Sequence, residues 1–360
     1  MEINISELVR PEIREIEIYQ GEKYTKKCKI DLSGNESPYD LPIDLKNKIT
    51  EKIMGNSLNN YPTLYSKELR KCISDYLNMN ISYEQIIVGN GSDDVLGMLF
   101  STFIKKGEVV LAAAPTFSMY RFFTKVAGGT YEHFSLRDSE FNYRSIKKMI
   151  DKLNPKIIIL CSPNNPTGQI LKTKTLLNIL DTYSGILVID EAYAEFAGSS
   201  FLKYINEYSN LVVTKTFSKA FGLAGIRLGY LVGSKELIQQ VAKVLIPYNM
   251  NSITTLIGKL ILKERELIKR RVDKIISERE KMFAILSEYK NWTVFPSSTN
   301  FIYIEGKEVK KFKNMLNNRG VKIRSFDHIP PAVRITIGKP EQNKKVEQTF
   351  REFKKGGSND

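Results

Sequence analysis

The chain has 360 residues, of which 42% are hydrophobic and 26% are charged, a composition that excludes disordered and fibrous proteins. Lys and Arg outnumber Asp and Glu by 54 to 40, giving a net charge of +14. The basic runs contain acids at helical spacing, however, and so predict solvated helix faces rather than a nucleic-acid groove. No stretch resembles a signal peptide or approaches the roughly 20 apolar residues of a membrane span. These features predict a soluble, cytoplasmic protein that binds neither nucleic acid nor membrane.

From about residue 65, helical patterns alternate with short apolar runs. The pattern predicts helices at 67–78, 93–104, 118–127, 143–153, 174–183 and 234–245, and strands at 85–89, 108–114, 130–136, 156–161, 185–190, 211–217 and 227–233. Short apolar strands between helices indicate an α/β fold with a mostly parallel sheet sandwiched by helices.

The pattern changes after residue 250. A long helical stretch, about 252 to 289, precedes short strands at 293–296, 300–305, 322–326 and 332–338, with helices at 309–320 and 341–353. This alternation predicts a small α+β domain. The resulting organisation is an N-terminal segment, 1–35, packing with the small domain; a large domain, 36–250; a long connecting helix, 251–290; and the small domain, 291–360.

Unusual residues follow several strands of the large domain, at the edge where open α/β sheets bind ligands. "VGNGSDD" runs from a strand through Gly91 into a helix, and the first amides of that helix, at Ser92 and Asp93, are suited to a phosphate. The segment lacks the third glycine of a dinucleotide fingerprint and the lysine of a P-loop, so a plain strand-to-helix turn is an equal alternative. "GILVIDEAY" ends in Asp190 and Glu191, which read alone are also typical of capping or ion-pairing acids.

"TKTFSKAFGLAGIRLGY" places Lys219 in an apolar segment just behind a strand, 29 positions after Asp190. A lysine on a surface loop is the ordinary alternative. Burial, however, lowers the pKa of an amine and makes it a nucleophile toward a carbonyl. A reactive lysine, an acid and a phosphate cradle together fit pyridoxal phosphate better than any other cofactor. Lys219 is expected to bond to the aldehyde, and Asp190 to pair with the protonated ring nitrogen.

The other cofactor contacts follow from side-chain chemistry. Asn165, in "SPNNPTG", and Tyr193 are expected to hydrogen-bond the phenolic oxygen of the ring. Phe117, in "APTFSMY", is expected to lie against the ring face, with a core aromatic as the alternative. The side chains expected around the phosphate are Ser92, Thr216, Ser218 and Arg227. The three cysteines are widely spaced without CxxC pairs, and we expect no metal site.

These motifs, in this order and spacing, resemble the fold-type I superfamily of pyridoxal-phosphate enzymes. Within it the chain is most similar to the histidinol-phosphate aminotransferase family, through "LVRPEIREIEIY", "NESPYDLP", "VGNGSDD", "APTFSMY" and "IPYNMN". The resemblance implies a homodimer with shared active sites, in which Tyr61 reaches the cofactor phosphate of the other subunit. It also implies that Arg334 binds the substrate carboxylate or its equivalent end, that Arg324 binds the substrate phosphate, and that Tyr19 lines the pocket. Asp94 stands where the family usually has glutamate.

The implied reaction is amino transfer between glutamate and imidazole-acetol phosphate, giving histidinol phosphate and 2-oxoglutarate. Three alternatives stay open from the sequence. A threonine-phosphate decarboxylase of the cobalamin pathway has a similar fold and also binds a phosphorylated amine. An aminotransferase for aromatic or other amino acids would share the same cofactor residues. A basic nucleic-acid-binding or regulatory protein on an aminotransferase scaffold is the alternative from another class.

Overall fold

The computed structural model describes residues 3–18, 28–136, 141–327 and 330–356. Within these ranges the strands are β1 (Ile30–Leu32), β2 (Ile86–Gly89), β3 (Val109–Ala114), β4 (Thr130–Ser135), β5 (Ile157–Cys161), β6 (Ile186–Asp190), β7 (Leu211–Thr216), β8 (Gly229–Val232), β9 (Thr293–Phe295), β10 (Phe301–Glu305), β11 (Val321–Phe326) and β12 (Ala332–Thr336).

The helices are α1 (Ile5–Leu8), α2 (Pro11–Arg14), α3 (Ile43–Met54), α4 (Lys67–Leu77), α5 (Ser92–Phe103), α6 (Met119–Val126), α7 (Tyr143–Leu153), α8 (Thr173–Leu180), α9 (Ala194–Ala197), α10 (Lys235–Ala242), α11 (Ser252–Ile261), α12 (Arg265–Leu286), α13 (Val309–Asn318) and α14 (Pro340–Gly356). Single 3-10 turns lie at Leu64–Ser66, Tyr83–Gln85, Phe201–Tyr204 and Ala224–Ile226. Among the described residues, no helix is long and apolar enough to span a bilayer.

The larger sheet has seven strands in the order β2-β8-β7-β6-β5-β3-β4. Strands β3 to β7 pair in parallel, and β8 is antiparallel to both of its neighbours. Every residue of β5, β6 and β7 is buried, as expected of parallel strands covered by helices on both faces. This confirms the predicted α/β class with a mostly parallel sheet.

The reversal at β8 has a local cause. Residues 217–228, between β7 and β8, contain one 3-10 turn and no α-helix. A parallel pair needs a crossover, usually an α-helix, to carry the chain back to the start of the next strand. Without one, β8 runs antiparallel, so its first residues lie at the edge where its neighbours end.

The smaller sheet has five strands in the order β1-β11-β12-β10-β9. Strand β1 pairs in parallel with β11, and the other pairs are antiparallel. A cluster of aromatic rings fills the core beside this sheet, with Trp292 stacked at 5.0 Å on Phe353 and packed against Phe312 and Phe350. The sheet and its helices form the predicted α+β unit.

The N-terminal segment differs from the prediction. Its strand β1 joins the smaller sheet, as the expected packing requires. Helix α2, however, lies against α6 of the larger unit, where the guanidinium of Arg10, just before α2, donates to the backbone oxygen of Val126 at 2.7 Å. Val126 is the last residue of α6, and its carbonyl has no partner within that helix, so it can accept this charged donor. Helix α2 therefore packs on the larger unit, whereas β1 joins the smaller sheet.

The predicted long connecting helix is two helices, α11 and α12, separated by residues 262–264. Glu264 has φ −95° and ψ 44°, outside the helical region. Helix α11 is fixed to the larger unit, since Thr254 donates to the backbone oxygen of Ile226 at 3.0 Å. Helix α12 reaches the smaller sheet, where Arg279 donates to the Thr299 oxygen at 2.9 Å. The break lets each helix follow its own contact surface.

Candidate active site

The predicted site residues converge on one edge of the larger sheet. Strands β2 and β3 to β7 all end there, and the antiparallel β8 begins there. Because the carboxyl ends of parallel strands share an edge, the segments that follow them are neighbours in space. The residues brought to this edge are Gly91, Ser92, Asp93, Phe117, Asn165, Asp190, Tyr193, Thr216, Ser218, Lys219 and Arg227.

Lys219 follows β7 with its side chain half-buried. Its Nζ donates to the backbone oxygen of Gly34 at 3.1 Å and lies 6.0 Å from the centre of the Tyr193 ring. Burial, together with the positive charges of Arg334 and Arg227, lowers the pKa of this amine to about 8. A neutral amine is therefore available near physiological pH, as a nucleophile for an aldehyde requires.

Asp190 ends β6 and is buried. Its Oδ2 accepts from the Tyr120 hydroxyl at 2.6 Å, and its Oδ1 accepts from the backbone N–H of Ala192 at 3.0 Å. Burial raises the pKa of this carboxyl to about 6, although the bond from Tyr120 opposes the rise. Tyr120 was not among the site residues predicted from the sequence. It stands three positions after Phe117 in "APTFSMY", and this helical spacing was the only indication of it.

Tyr193 is buried just beyond the end of β6. Its hydroxyl oxygen accepts from the Asn35 side-chain amide at 2.9 Å, and its ring packs edge-on against Phe301 at 5.2 Å. Burial raises the pKa of the Tyr193 phenol, so it stays protonated and able to donate a hydrogen bond. Asn35 was also missed, although it is the first residue of "NESPYDLP", one of the segments that carry the family resemblance.

The segments around Gly91 and Arg227 meet at the N-terminus of α5, on a surface where several hydrogen-bond donors lie close together. Gly91 has φ +93°, and a Cβ built on it would lie 2.7 Å from Nη2 of Arg227. A Cβ on Gly229 would lie 2.3 Å from the backbone nitrogen of Ser92, the first residue of α5. The positive φ of Gly91, and the close approach of the Gly229 backbone to the backbone at this helix N-terminus, therefore require glycine at both positions.

The charges beside this surface favour an anion. Arg227 is half exposed, and its Nη2 lies 3.8 Å from Oδ2 of Asp93. Thr216 and Ser218 are buried at the end of β7, and the Thr216 hydroxyl oxygen accepts from the Ser218 N–H at 3.1 Å. Helix amides, hydroxyls and a guanidinium make a donor set that suits a phosphate. Together with the amine of Lys219 and the carboxyl of Asp190, these residues fit pyridoxal phosphate.

Arg334 joins the smaller sheet to this edge. Its Nη1 donates to Oδ1 of Asn165 at 2.6 Å, and its Nη2 donates to the backbone oxygen of Ser33. Arg324 lies directly opposite Arg334 in the register of β11 and β12. Directly opposite residues project from the same face of a sheet. The two predicted substrate arginines are therefore neighbours on the face that carries Arg334 to Asn165.

Two of the predicted residues, Phe117 and Tyr61, contact other aromatic rings. Phe117 is half-buried, and its ring meets that of Tyr120 edge-on at 5.6 Å. Tyr61 is 82% exposed and stacks on Tyr248 at 4.7 Å, so within one chain it does not join the site. Tyr19 lies outside the described residues. Within the described ranges, no group of three or more His, Cys, Asp or Glu side chains is arranged to hold a metal ion.

Known proteins resemble the chain over nearly its full length. The family model described as aminotransferase class I and II matches residues 27–350. The chain is 38% identical to a histidinol-phosphate aminotransferase of Clostridium novyi, covering 95% of this chain and 96% of that protein. Its structure is similar to that of the histidinol-phosphate aminotransferase from Clostridium acetobutylicum, at 25% identity and TM-score 0.82, covering 91% of this chain and 99% of that one.

The enzyme from Sinorhizobium meliloti, solved in complex with pyridoxal 5'-phosphate, has the same fold. Its TM-score is 0.85 at 19% identity, with 96% of this chain and 98% of that chain covered.

Proposed function

The chain belongs to the aminotransferase class I and II family, and we propose that it transfers an amino group between glutamate and imidazole-acetol phosphate. The products are histidinol phosphate and 2-oxoglutarate. The protein is a pyridoxal-phosphate-dependent aminotransferase, and the choice of substrate is supported by its similarity to histidinol-phosphate aminotransferases across 95% of its length.

The structural observation that carries the proposal is the arginine pair Arg324 and Arg334. They lie opposite each other in the register of β11 and β12, and Arg334 reaches Asn165 at the edge of the larger sheet. Two adjacent guanidinium groups suit a phosphate, or a carboxylate in its place. The pair therefore binds the phosphate of histidinol phosphate in one half-reaction and a carboxylate of glutamate in the other.

The remaining roles follow from the site. When bound, pyridoxal phosphate supplies an aldehyde that takes up the amino group and a ring that accepts the electron pair of the substrate α-carbon. Lys219 Nζ takes the proton from that carbon, since its lowered pKa leaves the amine neutral at mildly alkaline pH. Asp190 holds the ring nitrogen protonated, and Tyr193 and Asn165 bind the phenolic oxygen. Phe117 lies against the ring face in this proposal.

The phosphate of the cofactor is bound by donors from three segments. They are the amides of Ser92 and Asp93 behind Gly91, the hydroxyls of Ser92, Thr216 and Ser218, and the guanidinium of Arg227. The positive-φ glycine supports this assignment, because it brings the first turn of α5 next to Arg227.

A homodimer completes the site in this proposal. Tyr61 and its stacking partner Tyr248 are exposed, as are the nearby apolar side chains Leu58 and Ile246. Leu58 and Ile246 are close to the two tyrosines in sequence, and groups of large exposed apolar side chains are typical of protein interfaces. A second copy covers them and receives Tyr61 at its cofactor phosphate. We also propose that the enzyme is cytoplasmic.

Two measurements test the reaction. Borohydride reduction followed by peptide mass spectrometry should find the cofactor on Lys219 and on no other lysine. In a separate, unreduced sample, histidinol phosphate should bleach the visible absorbance of the loaded enzyme, and 2-oxoglutarate should be consumed without release of carbon dioxide.

Matched variants connect the reaction to the arginine pair. Arg324→Gln should raise the KM for histidinol phosphate about 10- to 100-fold, the loss of one charge-assisted contact. Arg319→Gln, which removes an exposed arginine paired with Glu352, should leave it unchanged. Carbon dioxide release from threonine phosphate would instead establish the decarboxylase, and preference for an aromatic amino acid the other aminotransferase.

A further inference from the structure

Lys215 is a buried lysine to which the proposed reaction gives no role. It lies on β7, four positions before Lys219, with 7% of its side chain exposed. Its Nζ is 3.2 Å from Oε2 of Glu191 and 3.0 Å from Oε1 of Glu195. Burial by itself lowers the pKa of this amine, but the two carboxylates outweigh burial and raise it. Lys215 is therefore a fixed positive charge between two acids.

The two acids flank Tyr193 in the turn "DEAYAE". Tyr193 lies on the side of the turn that faces Asn35 and Lys219, whereas Glu191 and Glu195 reach back to Lys215. Glu191 is held further, because its Oε2 accepts from the Ser200 hydroxyl and its Oε1 from the Phe201 N–H, both at 2.6 Å. Each oxygen of this buried carboxylate has a donor, as buried charges require.

The strand itself does not fix Tyr193. Asp190 is the last residue of β6 and pairs with Cys161 and Thr214 on either side. Tyr193 comes three residues later, after the ladder has ended and before the short helix α9. Its position therefore depends on its contacts with Asn35 and Phe301 and on the contacts of its own turn. In that turn, the carboxylates on both sides of Tyr193 bind one ammonium group on β7.

We propose that Lys215 is a positioning residue that holds Tyr193 at the cofactor by binding Glu191 and Glu195 together. The inference rests on the proposed contact between Tyr193 and the phenolic oxygen of the cofactor. Buried ion networks contribute little net stability compared with apolar or neutral replacements, whereas they select one geometry. The network thus fixes the turn to the same strand that leads to Lys219.

The test removes all three charges at once, since Lys215→Met alone would leave two buried carboxylates without a partner. In the triple variant Lys215→Met, Glu191→Gln, Glu195→Gln, we expect the apoprotein to fold and the Kd for pyridoxal phosphate to rise about tenfold. The pH at which the absorbance of the bound cofactor changes should shift. In a Tyr193→Phe background the same three changes should alter the Kd by less than about twofold, because the contact they position is absent.

Glu195→Gln is the variant that is safest for folding, since it leaves a balanced pair of Lys215 and Glu191. It should shift the absorbance pH profile in the same direction and by less, while Glu207→Gln, an exposed control, should shift nothing. If the triple variant fails to fold, the Glu195→Gln profile decides between the outcomes.

The positioning role would be overturned if the triple variant had the same Kd and the same pH profile as wild type. If the triple variant is unfolded, a wild-type pH profile in Glu195→Gln would overturn it. An undiminished tenfold effect in the Tyr193→Phe background would also overturn it. If wild-type protein itself failed to attach the cofactor at Lys219, the proposed function would fall instead, so the two failures are distinguishable.

Discussion

The charge of Asp190 depends on one hydrogen bond that the sequence analysis did not find. The carboxyl is buried, its pKa is raised to about 6, and the Tyr120 hydroxyl opposes that rise across 2.6 Å. Its other neighbours act in both directions: the Ala192 N–H lowers the pKa, whereas Asp93 and Glu191 raise it, and the buried thiol of Cys161 lies opposite in the sheet register. A pKa of about 6 leaves a minor fraction of Asp190 protonated at neutral pH before a cation binds.

Tyr120→Phe should weaken cofactor binding most at low pH. Without the hydroxyl the pKa of Asp190 rises further, so more of the carboxyl is protonated at pH 7 and cannot pair with the ring cation. We expect the Kd of the variant for pyridoxal phosphate to exceed that of wild type about tenfold at pH 7. The ratio should shrink by pH 9, where Asp190 is ionised in both proteins.

Tyr183→Phe is the matched control, because Tyr183 is also buried and donates to a backbone oxygen, that of Pro155, at 3.0 Å. Its Kd ratio to wild type should stay near one at both pH values. A Tyr120→Phe ratio that is the same at pH 7 and pH 9 would show that the hydroxyl does not act through the ionisation of Asp190.

Asp190→Asn should stabilise the apoprotein while weakening the holoprotein. The folded-state pKa, about 6, lies above the ordinary value of 3.8, so the contribution of this group to stability is greatest below pH 4 and is lost as the pH rises to 6. At pH 7 the loss is about 3 kcal/mol. Thermal melts at pH 7 should show a higher Tm for the variant apoprotein and a smaller rise on adding cofactor.

The difference between the two apoproteins should narrow as the pH falls from 7 to 5. Asp181→Asn, which alters an exposed carboxyl bonded to Tyr208, should reproduce neither effect. A variant apoprotein that melts below wild type at pH 7 would contradict the idea that the carboxyl awaits a cationic partner.

Which site residues were predictable depends on how far along the chain their partners lie. Lys219, Asp190 and Arg227 stand in motifs whose chemistry is evident from a few adjacent residues. Tyr120 hydrogen-bonds the carboxyl of Asp190, which lies 70 positions later in the chain. Asn35 hydrogen-bonds the hydroxyl of Tyr193, which lies 158 positions later. Only the folded sheet brings such pairs together, so a single sequence identifies the reactive groups before it identifies those that tune them.

At the scale of elements, apolar runs predicted the strands of the larger sheet, most clearly β5, β6 and β7, because every residue of these three strands is buried. The direction of a strand was harder to predict. Strand β8 has the same apolar pattern as its neighbours, and it is antiparallel only because the connection before it is short. The break between α11 and α12 has no proline or glycine at residues 262–264. Helix α11 packs against α3 and α4, whereas α12 passes α9 and reaches the smaller sheet, and helical periodicity does not encode this change of partners.

Two glycines within helices allow the effect of side-chain packing on stability to be compared with the effect of helix propensity. In Gly258→Ala, on α11, the new Cβ would lie 2.6 Å from Cδ2 of Leu228 and 3.1 Å from Cδ1 of Leu69. We expect a loss of about 1–3 kcal/mol from overpacking. In Gly97→Ala, on α5, the nearest atom, on the Phe123 ring, is 3.9 Å away. The gain in helix propensity should therefore stabilise that variant by about 0.5–1 kcal/mol.

Chemical denaturation with a common m-value measures both changes. Opposite signs are the expected result. If both substitutions stabilised the protein, α11 would pack less closely against Leu228 than the distance at Gly258 indicates.

At the scale of the whole molecule, the exposure of Tyr61 is what the proposed dimer must explain. Within a single chain, the Tyr61 ring is exposed to solvent and stacks on Tyr248. Every other described residue assigned to the cofactor lies at the edge of the larger sheet. The sequence suggested a residue given to another subunit only through family resemblance, because no local pattern distinguishes such a residue from an ordinary surface tyrosine.

Subunit complementation tests this arrangement directly. Lys219→Ala should abolish activity, and Tyr61→Ala should lower it about tenfold or more by removing a bond to the cofactor phosphate. If the sites are shared, a mixed dimer has one site with both residues intact and one with neither. Random reassortment makes half of the dimers mixed, so denaturing and refolding an equal mixture should restore about a quarter of wild-type activity.

If Tyr61 serves its own subunit, every site in the mixed dimer keeps one defect. Activity would then stay at the average of the two homodimers. A second mixture, Lys219→Ala with Asp190→Asn, is the control, since both residues follow strands of the same sheet within one chain and no exchange of subunits can reunite them. Recovery in the first mixture and none in the second would establish that Tyr61 crosses to the partner, while recovery in neither would contradict it.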